Sequence, residues 1–436
     1  MEDSSVGQQE PEERILRPRS GYSIIAWLVN IAWLLTVGIV PHAAKAEGLT
    51  GPVFHAGGQP LARLTSSPPN LPSICQPHRA FLPLLLDSPP GTATVSISTP
   101  LTPSSPIRAI AVYYDDLYLS RPEVPSVQAN LNRVHSNFVS LPAGRLEWTY
   151  FKWADHPERW SSAVKDAQVD YLAEDLINYG AGRHRNTGVD VLAPLWIQSY
   201  PADAAIGVSG AASSEQVSLA ALVNGAYGQQ VLEMIGYLAA HYALDSISIT
   251  ELFYYDYGYG PDDLALYQAD TGQADWPRQA NGSINPDDPA LGLWRSQKIA
   301  GWLQRASACA HSHGKELYLD VRISWGNLPS ESRENAQYYA TMLGAVDKLV
   351  LWGFANLAGY APTYLGEVAS YLVSKYPARR FIMSCGLWGP NGSVISAADL
   401  QTSLRSSSAG GLLDLWITPS NLLSSDHWAV LEGEWP

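Results

Sequence analysis

Eight apolar runs, separated by segments with helical spacing, set the strongest constraint on how this chain can fold. Strands buried on both faces of a parallel sheet are continuously apolar, as these runs are. Their alternation with helices predicts an α/β fold with a parallel sheet, and eight repeats predict a (β/α)8 TIM barrel. The candidate strands span residues 107–114, 137–141, 189–197, 246–252, 316–323, 348–354, 380–387 and 412–419.

The segments between these runs carry the helical period. In 166–180, for example, Val169, Leu172, Leu176 and Ile177 fall on one helical face. The second strand is the least defined, because residues 147–153 compete with 137–141 for that place. The helix candidates are 126–136, 166–180, 229–243, 293–314, 333–344, 363–376 and 396–407.

An open, doubly wound sheet and a barrel with irregular closure are the alternative architectures. A dinucleotide-binding sheet should carry a glycine-rich turn after its first strand. Here residues 113–122 read YYDDLYLSRP, which contains no glycine. The sequence therefore argues against a nicotinamide- or flavin-binding sheet.

The N-terminal region predicts an exported protein. A polar stretch containing Arg14, Arg17 and Arg19 precedes the apolar segment 23–40, and Ala44-Lys45-Ala46 follows as a small-x-small cleavage site. Residues 1–46 are thus expected to be a signal peptide or an uncleaved membrane anchor. Residues 47–105, rich in Pro, Ser and Thr, are expected to form a linker or arm, and residues 106–436 the barrel. The expected location is periplasmic or extracellular.

Charge and cysteine usage restrict the partners. A net charge of −14 does not suit nucleic-acid binding, which needs clustered Lys and Arg.

The chain has three cysteines, Cys75, Cys309 and Cys385. Because their number is odd, one disulfide is possible and at least one thiol stays free. The chain has no CxxC pattern or Cys/His cluster, and the strand ends carry no histidine. We therefore expect no metal and no cofactor.

The active site of a (β/α)8 barrel lies at the carboxyl ends of its strands. Cleavage of a glycosidic bond usually needs two carboxyl groups there. Glu251, in phase with Ile247 and Ile249, is the expected proton donor, and Asp256 is its favoured partner, followed by Asp320 and Asp116. Two simpler interpretations stay open, a rim salt bridge for Glu251 and pairing of Asp320 with Arg322.

Aromatic, acidic and amide side chains at the same strand ends suit a carbohydrate. The chain has 15 Trp and 23 Tyr against 7 Phe, and Trp and Tyr combine a flat apolar face with a polar group. The connection 252–292 opens with five aromatic residues and is either functional or a lid packed on itself. The expected substrate-binding residues are Asp115, Asp116, Trp196, Tyr200, Tyr254, Tyr255, Arg322, Trp325, Trp352, Trp388 and Asn421.

Part of the chain, roughly residues 240–375, resembles known families. The segments DSISITELFYYDYGYG, ALYQADTG and DPALGLWRSQKIAGWLQRASACAHSHGKELYLDVRIS resemble glycosyl-hydrolase-like barrels related to family 10. With SESRENAQYYATMLGAVDKLVLWGF they are also similar to the C-terminal hydrolase domain of bacterial poly-N-acetylglucosamine deacetylases, which cleaves a partly deacetylated, cationic polymer.

The segment 287–295 is the most recognisable part of that resemblance. Where the relatives carry Asp at the end of the fourth strand, this chain has Thr250-Glu251. The resemblance therefore implies an acidic role for Glu251, and the shift implies a different substrate or lost activity.

Three functional hypotheses follow. The first is an extracytoplasmic glycoside hydrolase that acts on a polysaccharide by carboxylate acid/base catalysis. The second is a catalytically inactive, glycan-binding barrel in polysaccharide export or surface attachment, favoured by the missing acid on the seventh strand. The third is a surface scaffold that binds proteins through the Pro-rich arm.

Overall fold

The computed structural model describes residues 71–75, 105–112, 124–181, 185–192 and 200–435. The predicted signal or anchor, residues 1–46, lies outside the described residues, as does most of the predicted arm. No helix within the described ranges is long and apolar enough to cross a membrane.

Eight parallel strands form a closed barrel, because the first strand pairs with both the second and the last. Each strand hydrogen-bonds to the next along the chain, which leaves no open edge in the ring. The predicted (β/α)8 barrel is confirmed, and the open sheet is wrong. The barrel strands are β1 Arg108–Ala111, β2 Phe138–Arg145, β4 Asn186–Leu192, β7 Ser246–Thr250, β8 Glu316–Val321, β9 Lys348–Gly353, β10 Phe381–Gly386 and β11 Leu415–Thr418.

Two small hairpins decorate the barrel. Strand β3, Trp148–Thr149, runs antiparallel to the end of β2, so residues 147–153 extend the second strand as a hairpin and do not replace it. Gly144 permits this turn: its φ is +100°, and a Cβ there would lie 2.5 Å from the Trp148 carbonyl oxygen. Strands β5, Ala204–Ile206, and β6, Ala212–Val217, form the second hairpin.

Helices cover the outside of the barrel. They are α1 Val124–Arg133, α2 Ser162–Ala167, α3 Tyr171–Asp175, α4 Leu219–Asn224, α5 Ala226–His241, α6 Pro261–Thr271, α7 Pro289–His311, α8 Tyr339–Leu343, α9 Tyr364–Lys375, α10 Ala397–Ala409 and α11 Ser425–Glu434.

The predicted single helix over 166–180 is wrong. Gln168 adopts a left-handed φ of 54°, and Asp170 caps a new helix by accepting a hydrogen bond from the Ala173 amide. The second helix then continues into a π-helical turn, Leu176–Ala181, where Ile177 is 71% exposed and not on a buried face. The predicted helix over 333–344 is likewise divided, because Ala336 has a φ of 60°.

Two apolar cores result from the alternation of side chains along the strands. The larger core fills the space between the strands and the helices and includes Ile247 and Ile249. The smaller core lies inside the ring: Phe138 packs against Trp416, with ring centroids 5.6 Å apart, together with Tyr318 and Val350. This inner core closes the end of the barrel where the strands begin.

A disulfide joins Cys75 and Cys309, which are 234 residues apart in the chain. Cys75 ends a short 3-10 helix, Ser73–Cys75, within the predicted arm, and Cys309 lies in the last turn of α7. Gly236 on α5 allows this approach, because a Cβ there would lie 2.9 Å from the Cys309 sulfur. The remaining thiol, Cys385, is buried.

Replacing Cys75 by Ser should lower the free energy of unfolding by about 2–5 kcal/mol, because the crosslink restricts the unfolded chain. Urea unfolding checks this value. Cys309→Ser and the double variant serve as controls and should lose the same amount, since either change removes the same bond. A thiol titration of the unfolded, unreduced protein should find one thiol, that of Cys385, and a value of three would contradict the pairing.

Candidate functional site

The inward-facing positions of the barrel strands form a polar layer above the inner apolar core. On β7 the inward positions are Ser246, Ser248 and Thr250, while Ile247 and Ile249 face the helices. On β8, Asp320 follows the inner-core residue Tyr318 by one strand repeat. This layer lies toward the carboxyl ends of the strands, where barrel enzymes hold their substrates.

Asp320 is the first acid of this layer. Its carboxylate accepts hydrogen bonds from the Ser248 hydroxyl, at 2.8 Å, and from the Trp352 indole nitrogen, at 3.2 Å. Burial raises the pKa of Asp320 to about 6, against these two hydrogen bonds, which favour the charged form. Asp320 thus faces the barrel interior, and its hydrogen bonds are to Ser248 and Trp352 and not to Arg322.

Asp190 on β4 is the second acid, and it is not among the site residues predicted from the sequence. Its side chain accepts a hydrogen bond from the Ser140 hydroxyl at 2.8 Å and is 8% exposed. Its other oxygen, Oδ1, has no hydrogen-bond partner among the described residues. Burial and the negative charge of Asp320 raise the pKa of Asp190 well above its usual value.

Glu251 lies at the rim of this layer. The prediction that it shares an inward phase with Ile247 and Ile249 is wrong, because that phase faces the helices. Strand β7 ends at Thr250, and Glu251 has a left-handed φ of 62°, so the alternation does not continue to it. Its charge instead acts on Arg322, which extends from the end of β8.

Arg322 and an aromatic wall border the acids. The guanidinium carbon of Arg322 lies 3.7 Å from the centre of the Phe253 ring and 5.5 Å from that of Trp352. Trp352 stacks on Phe354 at 5.5 Å, and Phe354 packs against Trp388 at 5.0 Å. A continuous wall of four rings therefore runs from the loop after β7 to the end of β10.

Gly386 makes room for one of these rings. A Cβ at this position would lie 2.3 Å from the Phe354 ring, so a side chain there would displace the wall. Trp352 and Phe354 are half-buried, whereas Trp388 is 7% exposed. The Trp352 and Phe354 rings are therefore the more exposed part of this wall.

Further acids surround Arg322. Asp256, Glu334 and Glu251 all favour its charged form, while burial lowers its pKa. Burial, followed by the charge of Asp287, raises the pKa of Asp256. Glu334, which is not among the predicted site residues, accepts hydrogen bonds from the hydroxyl groups of Ser324 and Ser330. Tyr255 lies near these acids.

Several predicted substrate-binding residues lie elsewhere. The prediction that Tyr254 contacts the substrate is wrong, because this side chain is fully buried and its hydroxyl donates to the Val217 carbonyl at 3.0 Å. Trp325 stacks on Tyr360 at 5.2 Å, and Asn421 is exposed after β11. The residues Asp115, Asp116 and Trp196 lie outside the described residues.

Tyr200 belongs to a separate group beside the β2–β3 hairpin. It interacts with Arg159, and its hydroxyl donates to the Gln230 side chain at 2.6 Å. Glu147 lies nearby, and burial raises its pKa to about 7. Neither of its carboxyl oxygens has a hydrogen-bond partner in the described part of the chain.

The long connection after β7 is packed on itself and on Arg295. This arginine is 2% exposed and donates to the Gly258 carbonyl at 2.8 Å and to the Tyr259 hydroxyl at 3.1 Å. The neighbouring Trp294 donates to Asp270 at 2.9 Å. The recognisable segment 287–295 therefore fixes the loop that carries Phe253 and Asp256.

Comparison with known proteins gives the fold a context. No protein-family model matches this chain, and no curated protein matches it. Among solved structures, the PgaB (BpsB) glycoside hydrolase domain from Bordetella bronchiseptica is 16% identical, with a TM-score of 0.57 over 75% of this chain and 98% of that one.

Two further structures are similar to this chain. The catalytic domain of beta-amylase from Paenibacillus polymyxa is 12% identical, with a TM-score of 0.51 over 76% of this chain and 98% of that one. The beta-galactosidase from the psychrophilic Marinomonas ef1 is 11% identical, with a TM-score of 0.55 over 75% of this chain and 58% of that one. The resemblance to glycosyl-hydrolase-like barrels is confirmed at the level of the fold, while the relation to family 10 stays a prediction. The chain has a (β/α)8 barrel fold, which it shares with these three solved structures.

Proposed function

We propose that this protein is a glycoside hydrolase that acts on a polysaccharide through carboxylate chemistry, with Asp320 in the reaction. The observation that carries the proposal is the environment of Asp320: a carboxylate inside the barrel, fixed by Ser248 and Trp352, beside half-buried aromatic rings. Aromatic faces stack on sugar rings, and a fixed carboxylate serves as a base, a nucleophile or a stabiliser of positive charge.

The rim acids suit a role in binding. Glu251, Asp256 and Glu334 surround Arg322, so this part of the site carries more negative than positive charge. Such a rim orients a ligand that offers hydroxyl or amino groups, because carboxylates accept their hydrogen bonds. We therefore assign Glu251 and Asp256 to substrate binding at the mouth of the barrel.

Export is part of the proposal. The apolar segment 23–40 and the Ala44-Lys45-Ala46 site support it from the sequence. The Cys75–Cys309 disulfide supports it from the structure, because such bonds persist in oxidising compartments. A periplasmic or extracellular protein would meet a polysaccharide there.

A second candidate function is glycan binding without cleavage. It is favoured by β7, the fourth barrel strand, which presents the hydroxyls of Ser248 and Thr250 where an acid is expected from the resemblance. Retention of a polysaccharide on an affinity gel, with no release of reducing sugar, would favour this function over hydrolysis.

Replacing Asp320 by Asn should lower the rate of glycan hydrolysis by about 100- to 10,000-fold, because a neutral amide cannot stabilise positive charge or accept a proton. Release of reducing ends from a broad panel of polysaccharides measures this rate. Asp399→Asn, on helix α10, is the matched control and should behave like the wild type. Full activity of the Asp320 variant would contradict the proposal.

Replacing Trp352 by Phe should shift the acid limb of the pH–rate profile to higher pH. The change keeps a ring in the wall but removes the indole N–H that favours ionised Asp320, so the pKa of Asp320 rises further. The charge of Asp320 in turn acts on the neighbouring Asp190, whose pKa it raises. Trp388→Phe, in the same wall, is the control and should leave the limb unmoved; equal shifts in both variants would exclude this explanation.

A further inference from the structure

We propose that Asp190 is the proton donor of this site and that it acts together with Asp320. This inference rests on the proposed function and extends it to a second residue. It concerns a carboxyl group in the middle of an apolar strand, away from the rim acids that the sequence patterns indicate.

The strand order places the two acids on opposite sides of β7. Asp190 on β4 is in register with Ser248 on β7, and the Ser248 hydroxyl reaches across to Asp320 on β8. Neighbouring strands lie about 4.8 Å apart, so the two backbones are separated by about 10 Å. Both side chains extend into the barrel interior, so the two carboxyl groups face the same space from either side of Ser248.

The hydrogen bonds of the two acids are unequal. Asp320 accepts from two donors, Ser248 and Trp352, which stabilise a carboxylate. Asp190 accepts from Ser140 alone, and its Oδ1 meets no donor among the described residues. A buried carboxylate oxygen without a donor is costly, whereas a carboxylic acid has an O–H to offer to a ligand.

This asymmetry separates the protonation states of the pair. Two acids in one low-dielectric space do not both ionise at neutral pH, and the one with fewer donors retains its proton. Burial and the charge of Asp320 raise the pKa of Asp190 accordingly. Acid and base roles follow from environments that push two pKa values apart.

In the proposed reaction, Asp190 gives up one proton and later regains one from water. The proton of Asp190 moves to the glycosidic oxygen while the bond from that oxygen to the anomeric carbon breaks, and the bonding electron pair stays on the oxygen. The carboxylate of Asp320 stabilises the positive charge on the anomeric carbon. Water adds to this carbon and gives one proton to Asp190, which restores the starting state.

Leaving-group dependence tests the role of Asp190. Protonation matters for a sugar leaving group but not for dinitrophenolate, which leaves without it. Asp190→Asn should therefore lose about 100-fold or more in kcat/KM for polysaccharide hydrolysis, while it keeps most of kcat/KM on dinitrophenyl glycosides, since that ratio reports bond cleavage and not the later attack of water. Asp320→Asn should lose both activities.

The matched control is Glu147→Gln, which neutralises another buried acid of raised pKa, beside the β2–β3 hairpin. It should retain both activities. If Asp190→Asn loses both activities equally, or keeps polysaccharide hydrolysis, Asp190 is not the donor. If the wild type cleaves no glycan, the proposed function itself is wrong, and the role of Asp190 falls with it.

Infrared spectroscopy gives a second readout that does not depend on turnover. The wild type should show protonated carboxyl absorption at neutral pH, and Asp190→Asn should lose part of it. In Asp320→Asn the same component should disappear at a lower pH, because the neighbouring negative charge is gone. An unchanged spectrum in Asp190→Asn would overturn the assignment. Glu147 has a raised pKa as well, so Glu147→Gln should remove a different component of the carboxyl absorption.

Discussion

Two carboxyl groups held inside a closed ring of strands are the constraint on which the site depends. A barrel interior is normally filled by bulky side chains, and here Phe138, Tyr318 and Trp416 fill it where the strands begin. One layer higher, the interior holds Asp190 and Asp320, and burying them is unfavourable without hydrogen bonds. The hydroxyls of Ser140 and Ser248 supply these bonds, which explains small polar residues on otherwise apolar strands.

The fold was predictable because its signal is repeated and large. Eight buried strands need eight apolar runs, and each run predicted from the sequence overlaps one observed barrel strand. Closure follows from geometry, since eight parallel strands with helices on one side form a ring. The local failures have local causes: Gln168 and Ala336 adopt positive φ values, which divide helices that the apolar period alone joins together.

The site was less predictable, since it depends on conformations that a pattern does not encode. Glu251 follows the phase of Ile249 in the sequence, but a left-handed backbone at this residue releases it from the strand. Tyr254 belongs to an aromatic run that suits sugar binding, yet it packs in the core. Asp190 was overlooked because its neighbours Val189 and Val191 make the segment resemble an ordinary buried strand; a lone acid in such a strand is the signal that could have identified it.

The departure at the fourth barrel strand has a structural explanation in these terms. Ser248 and Thr250 stand on the inner face of β7, and Ser248 donates to the acid of the next strand. The strand that resembles the acid-bearing strand of other barrels therefore supplies hydrogen-bond donors, while its two neighbours supply the carboxyl groups. Acid chemistry in such a ring does not depend on one particular strand, because every strand turns alternate side chains into the same interior. For such a barrel, inward register decides which residues meet a substrate, and position in a motif does not.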